Sequence, residues 1–165
     1  IDTEGEMFYV YDCYRASKAS PAVHSEVIRG RPHFIPIAYP HDGNRRDSMG
    51  NPGLADQYRN LGCNFLLEHF TNPPALGNNK GSNSIEEGLM AIIQAMEGGK
   101  FKVFSTLGDW FEEFRMYHRK QNKVVPFRDD LMSATRYAFQ SQRFAVAGKD
   151  PTWTQDVEYR NYGII

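Results

Sequence analysis

Short runs with strand character alternate with amphipathic helical patterns along most of this chain. That alternation restricts the fold more than any composition figure does. Residues 6–15, EMFYVYDCYR, are rich in β-branched and aromatic side chains and predict a strand. Ser20-Pro21 predicts a helix start, serine as cap and proline at the first helical position. This helix should run to about Arg29, with Val23, Val27 and Ile28 inward and Gly30 as its stop. Residues 34–39, FIPIAY, form a short apolar run of buried-strand type, although Pro36 removes one ladder donor. A short helix over 54–61, closed by Gly62, and a strand over 63–67 follow. Ser84 and Glu87 have capping-box spacing and open a helix with Ile85, Leu89, Ile92, Ile93 and Met96 inward and Gly98-Gly99 as its stop. A strand over 101–104 leads to an amphipathic helix over 107–119, whose Trp110, Phe111, Phe114 and Tyr117 read as core. Pro126 precedes a last helix, which should continue to about Val146. The order implies an α/β fold, a mixed sheet flanked by helices.

The start of that last helix, RDDLMSATRYAF, carries two adjacent acids, Asp129 and Asp130. Asp129 suits the N-cap, where its carboxylate can accept an orphan backbone N–H. Leu131, Ala134, Thr135 and Ala138 follow at i, i+3, i+4 and i+7, predicting one small or apolar face toward a core. Taken alone, the pair reads as a cap plus a solvated carboxylate favoured by the helix dipole. The alternative is a carboxylate pair holding a divalent metal, which requires another acid elsewhere. Asp42, at the end of the FIPIAY run in Tyr39-Pro40-His41-Asp42-Gly43, is the candidate. Strand ends and helix starts gather at one edge of an α/β sheet. Carboxylates assembled there form a hard-oxygen site suited to Mg2+ or Mn2+. Two such ions can activate water and stabilise a leaving oxygen in phosphodiester hydrolysis. Locally, the Asp42-Gly43 pair is equally well explained as a turn.

Cations accompany these acids. Arg45 and Arg46 follow Asp42, and no acid occurs from Arg115 to Arg128, a stretch that also holds Arg119, Lys120 and Lys123. A solvated basic face explains this run; so does an edge that contacts phosphates. The formal net charge of −1 does not decide between them, because an enzyme can concentrate base on one face and acid in its metal site. Hydrophobic residues make up 41% and aromatics 13%, enough for a folded core in one domain of 165 residues. No apolar run reaches the roughly 20 residues of a bilayer span, and no partner membrane is expected. Cys13 and Cys63 lack metal-ligand spacing and predict free thiols in a reducing setting. There is no serine nucleophile elbow, and GNNKGS (77–82) lacks the spacing of a phosphate-binding loop. Asp12 reads as a surface or ion-paired acid, His24 as an exposed helix residue, and Glu86 and Glu87 as first-turn acids on the dipole.

Taken together, EMFYVYDCYR, the helix opened by Ser20-Pro21, FIPIAYPHDG and above all RDDLMSATRYAF resemble the C-terminal nuclease domain of the large terminase subunit of tailed bacteriophages, of the headful-packaging, short-tailed type. The resemblance covers residues 5–144. It implies an RNase H-like fold and metal-dependent endonucleolytic cutting of concatemeric double-stranded DNA during packaging, with Mg2+ or Mn2+ in a two-ion site. It also implies Asp42, Asp129 and Asp130 as catalytic and metal-binding acids, Asp130 more directly if Asp129 caps the helix. Residues Arg45, Arg46, Arg115, Arg119, Lys120, Lys123 and Arg128 would contact DNA. The implied partners are an ATPase domain of the same polypeptide, the small terminase subunit and the portal protein, in the host cytoplasm. The family's first acid lies on a strand before a hairpin; residues 2–5 read as that hairpin's turn, so the chain is expected to lack its first strand and that acid, as an excised fragment would. The expected division is a nuclease domain over 1–147 and a tail over 148–165. A non-catalytic RNase H-like module that docks on DNA or portal is the competing reading. A resolvase- or integrase-like nuclease is a third.

Overall fold

The computed structural model describes residues 6–145 apart from 47, 75, 78 and 122. Its elements in chain order are strand β1 (Phe8–Val10), helix α1 (Pro21–Arg29), a 3-10 turn (His41–Asn44), α2 (Leu54–Asn60), α3 (Ile85–Glu97), β2 (Phe101–Val103), α4 (Gly108–Met116), the hairpin strands β3 (Arg119–Lys120) and β4 (Lys123–Val124), α5 (Asp130–Gln140) and a second 3-10 turn (Gln142–Phe144). The α/β class expected from the alternation is observed, and among the described residues no helix is long and apolar enough to cross a membrane. The expected hairpin turn at 2–5 and the tail at 148–165 lie outside the described residues.

Strand β1 pairs in parallel with β2, Phe8 opposite Phe101 and Val10 opposite Val103. Their aromatic members make the centre of the core: Phe8 stacks on Phe101 with ring centroids 5.4 Å apart, and Phe139 of α5 closes on Phe8 edge-on at 5.2 Å. Ile92, Trp110, Leu131 and Met132 complete the buried cluster, so α3, α4 and α5 all pack on the same two strands. Each such side chain contributes roughly 1.5–3 kcal/mol when fully buried.

The strands are shorter than their sequence runs. Among the described residues, β1 takes up three residues of the run 6–15, with Met7 in a bridge just before it. The FIPIAY run and the run 63–67 meet in one parallel bridge, Ile37 with Phe65, flanked by the Ile37 N–H to Asn64 O (2.9 Å) and Leu66 N–H to Ile37 O (3.0 Å) bonds. A ladder needs a partner at every second residue, and Pro36 offers no donor. Residues 119–120 and 123–124, expected as helix end and basic loop, instead pair as the antiparallel strands β3 and β4, since α4 stops at Met116.

Local end signals were accurate. Ser20 Oγ accepts from the Val23 N–H at 3.5 Å, and Ser84 Oγ from the Glu87 N–H at 3.3 Å. The expected return bond of the capping box is not made: Glu87 turns to Ser82 Oγ and to Asn72 instead. Inward faces were read less well. On α1, Val23 and Val27 are exposed and Ser25 is buried. On α3, Ile92 is buried while Ile85 and Ile93 are exposed. On α5, Ala134 and Ala138 are exposed; the buried set is Leu131, Met132, Thr135, Arg136 and Gln140. That helix ends at Gln140, short of the expected Val146.

Candidate functional site

A cleft of about 750 Å3 separates the 35–40 segment from α5. One wall is Ile35 to Pro40 with Phe65 and Leu66; the other presents Asp129, Asp130, Ser133, Ala134, Tyr137 and Ala138. The small face of α5 therefore opens onto the cleft, and the two acids line it where that helix begins. The pair arrives through a turn in which Arg128 adopts φ +49°, a left-handed conformation that costs a residue with a Cβ some strain. Arg128 is tied by an ion pair to Glu112 at 2.9 Å.

The N-cap position is Asp129, as expected, but the capping bond is not. Its φ/ψ of −114°/14° is not extended, and its carboxylate makes no bond to the orphan N–H groups of α5. The carboxylate lies 3.5 Å from Ser133 Oγ, while the Asp129 carbonyl takes the Ser133 N–H at 2.8 Å. Capping falls to Glu113 of α4, whose Oε1 accepts the Met132 N–H at 2.8 Å. Glu113 is fully buried, and its Oε2 accepts from Arg15 Nη1 at 2.9 Å. Sequence reasoning missed this acid. The available signal was position: with Trp110, Phe114 and Tyr117 it occupies the i, i+3, i+4, i+7 stripe, where an inward acid must find partners.

On the opposite wall, Tyr39 anchors the loop that carries Asp42. Its buried phenol receives Arg59 Nη2 at 2.9 Å and lies 3.0 Å from both Asn44 Oδ1 and Leu67 O. The Arg59 guanidinium also sits over the Tyr39 ring, 5.2 Å from its centroid. Gly43 packs so closely that a Cβ there would stand 2.7 Å from Tyr39 Cδ2. Asp42 is exposed in the 3-10 turn, and Pro40, the residue that caps that turn, lines the cleft with Asp129 and Asp130. The structure thus brings two of the three expected acids into one cleft and places the third on the loop leaving its wall. Among the described residues, no three His, Cys, Asp or Glu side chains converge closely enough to hold an ion.

Electrostatics around Asp129 register on Tyr117, whose phenol is pushed up by burial first and by the Asp129 charge second. The cations expected to meet DNA divide into two groups. Arg119 is paired with Glu86 at 2.5 Å and Arg128 with Glu112. Arg45, Arg46, Arg115, Lys120 and Lys123 are exposed, with Lys120 and Lys123 facing each other across the β3–β4 hairpin. Asp12 is held by Arg31 at 2.6 Å, the structural role expected of it. His24 is half-buried and packs edge-on against Tyr14 at 5.7 Å.

Residues 1–142 match the terminase RNaseH-like domain family. The chain belongs to that family. Its terminase relatives include the large terminase subunit of Salmonella phage P22, 35% identical over 150 residues, which are 90% of this chain and 29% of that protein. Another is the large terminase subunit of Enterobacteria phage LP7, 35% identical over 139 residues, 84% of this chain and 28% of that protein. The structure of the P22 large terminase nuclease domain superposes with a TM-score of 0.75 at 35% identity, covering 87% of this chain and 72% of that one. The RNase H-like terminase nuclease fold expected from RDDLMSATRYAF is therefore the fold of this chain. Because the chain spans under a third of the curated terminases, what the whole large subunit does is carried over only as a proposal.

The donor chemistry fits a hard divalent cation. Asp129 and Asp130 offer carboxylate oxygens at an open cleft, and Mg2+ is commonly held by one or two carboxylates with water and substrate phosphate filling its shell.

Proposed function

We propose that this domain is the divalent-metal-dependent endonuclease of a large terminase subunit, cutting concatemeric double-stranded DNA during viral genome packaging. The observation that supports it most directly is the joint placement of Asp129 and Asp130 in the cleft facing Pro40, with the Asp129 carboxylate not committed to capping α5. Asp42, Asp129 and Asp130 would hold Mg2+ or Mn2+. When bound, such ions lower the pKa of water and stabilise the leaving oxygen of a phosphodiester. The protein's own share is positional. Tyr39 and Arg59 hold the loop bearing Asp42, and α5 presents its acids at the opposite wall. Arg45, Arg46, Arg115, Lys120 and Lys123 supply charge for the phosphate backbone, with Arg119 and Arg128 beside them. On this reading the ATPase domain of the same polypeptide, the small terminase subunit and the portal protein are partners, and the host cytoplasm is the place of action.

The test is nicking of supercoiled plasmid by the domain within its full-length polypeptide, with Mn2+ or Mg2+ added. Asp42→Ala and Asp130→Ala should each abolish cutting. A double variant that cuts as fast as the wild type would refute the site. The exposed cations of the hairpin also support a second reading, a docking module that binds DNA or portal without cutting it. That module would show steep salt dependence and no heat of Mn2+ binding that depends on Asp42.

A further inference from the structure

Helix α5 presents its two acids without a cap of its own, and a buried acid from another helix supplies one. Glu113 is the largest fully buried side chain of the described residues. Each of its oxygens has one assigned partner: Oε1 takes the Met132 N–H at 2.8 Å and Oε2 takes Arg15 Nη1 at 2.9 Å. Met132 lies in the first turn of α5, two residues after Asp130. Arg15 comes from the segment that leaves β1, and its side chain is a quarter exposed. Three elements distant in sequence are thereby fastened at the point where the cleft acids begin.

We propose that Glu113, backed by Arg15, is a positioning residue that fixes the height and rotation of the α5 N-terminus, and hence where the Asp129 and Asp130 carboxylates stand in the cleft. The inference rests on the reading of that cleft as a metal site. An Asp at the N-cap that bonded its own helix would have one carboxylate oxygen occupied and its rotamer fixed toward the backbone. Delegating the cap to Glu113 frees the Asp129 carboxylate from the helix N–H groups, its Oδ2 accepting from the Ser133 hydroxyl at 3.5 Å, while the orphan donor of Met132 is still satisfied. The burial of Glu113 makes the link stiff. A carboxyl group enclosed by protein is held by its hydrogen bonds, and losing one partner leaves the other uncompensated. The hydrogen bonds of Glu113 go to Met132 and Arg15, so its effect on the two acids passes through the α5 backbone.

The experiment compares the wild-type chain with Glu113→Ala, Glu113→Gln, Arg15→Ala and Asp130→Ala. Hydrogen exchange at the Leu131 and Met132 amides is measured without metal, and Mn2+ binding by calorimetry. Glu113→Ala should speed exchange at Met132 and weaken Mn2+ binding by ~10–100-fold, the range for supporting residues behind metal ligands. Glu113→Gln keeps a carbonyl oxygen for the Met132 N–H and should restore most of both, whereas Arg15→Ala should fall between. If Glu113→Ala does not fold, the Gln and Arg15 variants carry the comparison. Unchanged Mn2+ affinity in every Glu113 and Arg15 variant, with Asp130→Ala abolishing binding, would overturn the positioning role and leave the site intact. Unchanged exchange at Met132 would overturn it as well. Mn2+ binding that is absent from the wild type, or indifferent to Asp130→Ala, would instead remove the metal-site reading on which the inference stands.

Discussion

Trp110 donates its indole N–H to Thr135 Oγ1 at 2.9 Å, joining α4 to α5 through a buried hydrogen bond. The Thr135 hydroxyl in turn donates to the Leu131 carbonyl at 2.7 Å. A polar relay therefore crosses the core one turn above the cleft acids. Thr135→Val keeps the shape and removes the acceptor, leaving a buried indole donor unpaired, which costs about 1–3 kcal/mol. Urea unfolding should show a lower midpoint with an unchanged slope. Trp110→Phe should lose packing as well, because Trp110 stacks on Phe114 at 5.0 Å.

Gly88 of α3 packs against Arg136 of α5. A Cβ there would stand 2.7 Å from Cγ and Cδ of Arg136, and Arg136 is itself buried with its guanidinium over Tyr137 at 4.6 Å and Phe70 at 5.4 Å. Glycine in a helix interior normally costs up to ~1 kcal/mol relative to alanine. Here Gly88→Ala should destabilise nonetheless, by about 1–3 kcal/mol, since Arg136 cannot swing out of its aromatic bracket without disrupting the α3–α5 contact. A lower melting temperature in calorimetry is the expected result.

Tyr39→Phe deletes the hydroxyl that Arg59 and the 41–44 turn share. The expected loss is about 1–2 kcal/mol, with Arg59 left one acceptor short. On the proposed reading, plasmid nicking should fall while the protein remains folded, and the required Mn2+ concentration should rise. Circular dichroism alongside the nicking assay separates the two effects.

The thiols supply a pH test. Burial pushes Cys63 and Cys13 above the ordinary thiol value of 9.0, with the Asp109 charge adding to the effect on Cys13. Burial likewise raises Tyr58 and Tyr117 above 10.0. In each case the folded state binds the proton more tightly than the unfolded chain. The stability these groups contribute is fully present below pH 9.0 and is lost as pH rises through the raised folded values. Denaturation midpoints should be flat toward neutrality and fall on the alkaline side. Alkylation of native protein by iodoacetamide should be slower than of the unfolded chain, most of all at the buried Cys63.

Charge reversal on the hairpin separates DNA attraction from catalysis. Lys120→Glu with Lys123→Glu should weaken binding of a DNA duplex uniformly across sequences and reduce the salt slope by about one unit per lost phosphate contact. Fluorescence anisotropy over a salt series measures it. Arg119→Ala should do less, because its guanidinium already serves Glu86.

Sequence reasoning served best where the physics is local. Ser20, Ser84 and the Gly98-Gly99 stop act on backbone groups within a turn, so the boundaries of α1 and α3 follow from them. Asp12 needed only a cation, and Arg31 provided it. Strand lengths were misjudged because a β-rich run says nothing of how many residues find a partner. Residues 6–15 have the composition of a ten-residue strand, and among the described residues three of them pair with β2. The Ala134 and Ala138 face was assigned to the core because small residues tolerate either burial or a cleft, and only the neighbouring wall distinguishes them.

The sequence by itself determined the α/β alternation, the ends of α1 and α3 and, through RDDLMSATRYAF, the family and the acids to test. Tertiary structure decided which carboxylate caps α5. Asp129 had the right residue type at the right place, yet Glu113, nineteen residues before Met132, makes the bond. An N-cap is readable when its acceptor and donor lie within one turn, since few geometries compete. A cap delivered from another helix depends on how α4 and α5 pack, and that packing follows from the whole core around Trp110, Leu131 and Met132.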